Sequence, residues 1–110
     1  MTKAIIYRLK NGLIKGFSIS GHAGAKKSGE YDLVCAAISA VGYTALGALD
    51  ELCGVGGYQE SDGNLEIFLP DELAKDLSEK AEIILETLEI GLKQIEAQYA
   101  KHICVMNKEV

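Results

Sequence analysis

The chain opens on two short runs, residues 3–9 and 13–19, rich in β-branched and aromatic side chains and separated by Lys10-Asn11-Gly12. Asn-Gly accepts the positive φ angles of a tight turn, so this pattern predicts a β-hairpin. A second hairpin is predicted over 55–60 and 64–69, turning through Asp62-Gly63, with Leu65, Ile67 and Leu69 marking one buried face. Between the hairpins, Leu33 to Leu49 form 17 residues without a charge, seven of them Ala or Gly. That run predicts a helix buried on most sides, whose small residues admit a close neighbour. Pro70-Asp71 is expected to open a second helix, with Asp71 as its cap. Leu73, Leu77, Ala81, Ile84, Leu88, Leu92, Ile95 and Tyr99 then recur at spacings of three and four, which makes one apolar stripe. Glu82, Glu86, Glu89, Lys93 and Glu96 fall outside it, and Glu89 and Lys93 are ordered for a helical ion pair. Short alternation from His102 to Met106 adds one strand. The order ββαββαβ defines an α+β fold, a mainly antiparallel sheet with two helices packed on it.

Length and charge narrow the function. A chain of 110 residues makes one domain, 1–110. Its net charge of −5 argues against direct nucleic-acid binding, which needs a basic patch. The charge-free run falls short of the roughly 20 apolar residues of a membrane span, and Ser39, Tyr43 and Thr44 interrupt it, so no membrane association is expected. Burying so apolar a helix in so small a domain suggests a homodimer packed around it. Cys35, Cys53 and Cys104 contain no CxxC pair and cannot all pair within one chain. With no signal-peptide pattern at the N-terminus, a reducing cytoplasm is the expected location.

The chemistry concentrates between Gly21 and Ser39. Gly21-His22-Ala23-Gly24 follows the second strand, and a glycine-bearing polar loop runs from there to Asp32-Leu33-Val34-Cys35 at the start of the charge-free helix. With Asp32 as cap, Cys35 would lie about three residues inside the helix, where unpaired backbone N–H groups and the helix dipole favour a thiolate. A histidine within about 3–4 Å would take the thiol proton and later give it to a leaving amine. Amides of the same turn would hold an oxyanion. Ser39, one turn on, shares the face of Cys35 and is placed to hydrogen-bond the sulfur or orient substrate. The competing reading makes Cys35 a small buried hydrophobe and His22 a solvated strand-end residue. Cys53 and Cys104 fit that plainer role. No metal site is expected: His102 and Cys104 are only two ligands, and no pair among the cysteines and histidines has metal-knuckle spacing.

Gly21-His22-Ala23, followed by Asp32-Leu33-Val34-Cys35-Ala36-Ala37-Ile38-Ser39, resembles the signature of the ribosomal-processing cysteine protease family, Prp. The likeness extends over length, element order, the charge-free helix and the long acidic second helix. It implies a cysteine protease domain with Cys35 as nucleophile and His22 as base, with no cofactor. It further implies, as substrate, the N-terminal extension of large-subunit ribosomal protein twenty-seven, processed in support of ribosome assembly. It makes a homodimer the usual state and the loop from Ala23 to Tyr31 a gate over bound peptide. Gly21, Asp32 and Ser39 are the supporting residues. The alternatives are a non-catalytic ribosome-associated module that holds a peptide in the same cleft, and a redox protein, which is disfavoured because no resolving cysteine lies near in sequence.

Overall fold

A computed structural model describes residues 1–21 and 30–110, the side chains of 30–32 excepted. In chain order the elements are β1 (Thr2–Arg8), β2 (Ile14–Ser20), α1 (Glu30–Cys53), β3 (Gln59–Ser61), β4 (Asn64–Phe68), α2 (Lys75–Gln98) and β5 (Ile103–Glu109). The strands form one sheet in the order β3-β4-β2-β1-β5, with β5 parallel to β1 and every other pairing antiparallel. The expected ββαββαβ order is therefore the observed one. The pairings make β3 run with β2, and β5 with β4. Each helix thus crosses between two co-directed strands that are not neighbours, and the fixed hand of such crossovers puts both helices on one face.

Register fixes which face that is. Ala4 opposes Ile19 and Ile6 opposes Phe17, while Phe17 and Ile19 in turn oppose Ile67 and Leu65. All six are buried, together with Ile103 of β5. The helices close this face with Val34, Ile38, Leu46 and Leu49 from α1 and Ala81, Leu85, Leu88 and Leu92 from α2. Both hairpins turn where Asn-Gly and Asp-Gly stand. Gly12 and Gly63 take positive φ (91° and 74°), and the Leu13 amide donates to Asn11 Oδ1. The first arm of the second hairpin is only three residues long, shorter than the run at 55–60 suggests.

Two expectations need correction. The helix α1 is not buried on most sides: Leu33, Ala36, Ala40, Tyr43, Thr44 and Leu52 are exposed. It lies in an outer layer, so among the described residues it is the flank over the sheet and the flank against α2 that lose water. Leu33–Cys53 is long and apolar enough to cross a membrane by length and composition, and its buried positions are those packed on the sheet. Next, Asp71 does not cap α2. The helix begins at Lys75 after Ala74, which makes no side-chain cap bond, and Asp71 instead accepts a 2.6 Å hydrogen bond from Lys15 Nζ. That ammonium holds the Asp71 carboxyl below its ordinary value.

The glutamates outside the apolar stripe of α2 are not all exposed to solvent. Glu89 is 5 % exposed and sits 2.5 Å from Arg8 Nη2 of β1. The expected partner Lys93 does contact it, at 3.5 Å. Glu82 accepts from the Ile14 amide and Glu96 from the Val105 amide, at 2.6 and 2.7 Å. These carboxylates reach backbone donors of β2 and of edge strand β5 that no neighbouring strand pairs. The helical period marks them as polar, but only the strand packed beneath the helix turns that polarity inward.

Candidate active site

The end of the sheet where β2 finishes is closed by short backbone bonds. Gly21 takes φ +86°, its amide donates to the Gly63 carbonyl at 2.7 Å, and the Thr2 amide donates to the His102 carbonyl at 2.8 Å. A Cβ at position 21 would stand 3.0 Å from the Met1 carbonyl oxygen. Position 21 therefore demands glycine twice over, by its left-handed backbone and by its lack of room. This conformation directs the chain as it leaves β2. His22 and the loop that follows lie outside the described residues, as does the gate read into 23–31 over residues 23–29.

Gly42 sets the height and direction of α1. A Cβ there would lie 3.1 Å from Ile19 Cδ1 and 3.6 Å from Leu65 Cδ2, so the helix rests on β2 and β4 at that level. The strand that follows α1, β3, pairs with β4 and runs with β2. Hence α1 runs back against β2, and its first turn points to the end of the sheet where Gly21 stands.

Cys35 occupies that first part of α1 and is half-buried, as is Ser39 one turn on. The helix begins at Glu30, three residues before the start that an Asp32 cap requires. Asp32 is thus the third helical residue and Cys35 the sixth. Asp32 therefore falls within the first turn rather than at the cap, and its side chain lies outside the described residues. The amides of 30–33 are the ones without partners inside the helix. Such amides can hold an oxyanion, and they lie about one turn before the thiol. Cys53 is 2 % exposed within the core, and half-buried Cys104 lies on β5, opposite Lys3. Among the described residues no three His, Cys, Asp or Glu side chains gather as metal ligands.

The flank carrying Cys35 and Ser39 continues through Tyr43, Gly47 and Asp50, at repeats of three and four. Tyr43 donates a hydrogen bond to Glu60 of β3. A recess of about 240 Å³ opens between this part of the helix and the segment after it, lined by Tyr43, Leu46, Gly47, Asp50, Gly56 and Tyr58. Periodicity placed Cys35 and Ser39 together. It gave no sign of the recess, because Tyr58 and Gly56 reach it only after the chain turns at Gly54.

A half-buried thiol in the first part of a helix, close to the amides that open it, can serve as a nucleophile. Comparison with known proteins agrees and is more specific. Residues 1–104 match the family described as Cysteine protease Prp. The chain is 32 % identical over 108 residues to the ribosomal processing cysteine protease Prp of Bacillus subtilis (strain 168), covering 96 % of each. Its fold superimposes with a TM-score of 0.83 on an essential ribosomal processing protease Prp from S. aureus in complex with a substrate peptide, at 25 % identity over 98 % of this chain and 100 % of that one. The same S. aureus protease with a covalently linked product peptide gives 0.78, at 27 % identity and the same coverage. The chain belongs to the Prp family of cysteine proteases that process ribosomal protein.

Proposed function

We propose that Cys35 is the nucleophile and His22 the general base of this protease. Its substrate would be the N-terminal extension of large-subunit ribosomal protein twenty-seven. The observation that carries the reading is Cys35 itself, half-buried one turn inside α1, in a fold shared along its whole length with a protease that holds a covalently linked product peptide. In the proposed reaction His22 takes the thiol proton as the sulfur attacks the scissile carbonyl, and the oxyanion sits on the amides opening α1. Collapse expels the amine, which leaves with the proton held by His22. Water, deprotonated by the same imidazole, then hydrolyses the thioester and restores the thiol. Gly21 supports the site through the backbone turn that precedes His22. Ser39 would position the thiol or the substrate from the next turn of α1.

Brief iodoacetamide treatment near neutral pH, read by peptide mass spectrometry, tests the nucleophile. Cys104 is the proper internal control, since it is half-buried like Cys35, whereas Cys53 is protected by the core whatever its chemistry. Cys35 is expected to be alkylated at least ~10-fold faster than Cys104. Labelling that favours Cys104 removes the basis for an activated Cys35.

The protein is further proposed to work in the cytoplasm as a homodimer. Support for the dimer comes from the outer surface of the helical layer, where a groove of about 440 Å³ runs between α1 and α2, lined by Ala40, Val41, Thr44, Ile83, Ile84 and Thr87 among others. Sedimentation equilibrium should give twice the 11.8 kDa chain mass, and Ile83→Glu should shift it towards monomer. A monomeric wild-type protein at micromolar concentration excludes the dimer.

A further inference from the structure

We infer that the recess between Tyr43, Asp50 and Tyr58 is a substrate subsite for a positively charged side chain of the peptide, lysine or arginine, four to seven residues from the scissile bond. The inference rests on Cys35 being the nucleophile and adds a determinant of specificity well away from it.

Placement comes first. Cys35, Ser39, Tyr43, Gly47 and Asp50 share one flank of α1, the flank turned away from α2. At 1.5 Å per residue, Tyr43 lies about 12 Å and Asp50 about 22 Å along the helix from Cys35. An extended peptide covers that interval in roughly four to seven residues at ~3.3 Å each. Edge strand β3 borders the same flank through the Tyr43–Glu60 contact. Its outer side pairs with no strand among the described residues, so it offers backbone groups to an extended chain.

The chemistry of the recess selects the side chain. Tyr43 and Tyr58 are each 40 % exposed and present aromatic surface. Asp50 contributes an exposed carboxylate, with Oδ1 2.8 Å from where a Cβ of Gly56 would stand. Glycine at 56 therefore leaves that carboxylate its room. The hydrogen bond from Tyr43 to Glu60 holds a second negative charge at the hydroxyl end of the ring, which strengthens the attraction for a cation. The recess also lies at the C-terminal end of α1, where the dipole is negative and the last turn carries no basic residue. Gly54, at φ +70°, ends the helix there, with its amide on the Asp50 carbonyl. Two aromatic faces, a carboxylate and an uncompensated helix end suit a cation and oppose an acidic side chain.

The test uses peptides with acetylated and amidated ends spanning the cleavage site in an otherwise uncharged host. A single lysine is moved through positions one to eight on either side of the scissile bond. The inactive full-length Cys35→Ala protein supplies affinities by fluorescence anisotropy, and the wild-type enzyme supplies kcat/KM. Lysine at one position four to seven residues from the bond should improve both by about tenfold over alanine, and glutamate there should weaken them. Asp50→Asn should cut the lysine preference to threefold or less, with the change in KM rather than kcat. Asp50 is exposed, so this variant keeps the fold. A flat lysine scan, or a preference that Asp50→Asn leaves intact, overturns the subsite. The affinity arm does not depend on catalysis. A lysine preference in binding, together with undiminished cleavage by Cys35→Ala, would keep the subsite and reject Cys35 as nucleophile.

Discussion

Cys35→Ala is expected to abolish processing of the ribosomal protein's extension, with a loss of about 10⁴-fold or more in kcat/KM. No other thiol can take over. Cys53 is sealed in the core and Cys104 sits on β5, separated from β4 by two strands and away from the flank that Cys35 shares with Ser39 and Tyr43. Cys35→Ser should be nearly as inactive, because a hydroxyl at the same place is far less ionised than a thiol. His22→Ala should cost about 10³-fold, the usual scale of a lost general base. The fold should survive each change. Cys35 is only half-buried, and alanine is the best helix former. Thermal unfolding within a few degrees of wild type, alongside lost cleavage, separates a chemical role from a structural one. Cleavage by Cys35→Ala at wild-type rate would show that another group attacks the substrate.

Arg8→Ala is expected to be the most damaging change far from the site, destabilising the protein by about 2–4 kcal/mol. Arg8 binds four partners: Glu86 through both terminal nitrogens at 3.2 Å, Glu89 at 2.5 Å, Asn107 Oδ1 at 2.7 Å and the Gly12 carbonyl at 2.6 Å. It thereby joins α2 to β1, β5 and the first hairpin turn. Removing it strands the Glu89 carboxylate, which keeps only Asn107 at 2.8 Å and exposed Lys93 at 3.5 Å. The effect has a pH signature. Burial opposes ionisation of Glu89, but hydrogen bonds from Asn107 and Arg8 and the charges of Arg8 and Lys93 outweigh it and hold the carboxyl below its ordinary 4.5. A group more acidic folded than unfolded contributes stability that is complete above its unfolded value and is lost as pH falls through its folded one. Glu82, raised chiefly by burial, works in the opposite sense and moderates the acid loss. Urea unfolding at pH 7 and pH 3 should therefore show the gap between wild type and Arg8→Ala shrinking in acid. A gap of the same size at both values would mean that packing of the Arg8 stem, not its charge, carries the effect.

Much of this was legible in the chain. Asn11-Gly12 and Asp62-Gly63 specify their turns locally, because few residues accept those backbone angles. The strand faces followed from period two, the long apolar stripe from period 3.6, and their order determined the fold class. The stretch from Gly21 to Ser39 stood out as the chemical segment through its glycines, its histidine and a cysteine at a helix start. What tertiary structure alone decided is which polar groups turn inward and which apolar ones stay out. Glu82, Glu89 and Glu96 sit on the polar side of their helix by period, yet strands lie beneath them with unpaired N–H groups and an arginine. The charge-free run reads as a core helix, yet it forms an outer layer, covered among the described residues by the sheet beneath and by α2 beside it. Its free side joins Cys35 to Asp50 and, once Gly54 turns the chain, to Tyr58. That flank exists only because residues distant in sequence close one side of it, and periodicity within a single element carries no information about its neighbours.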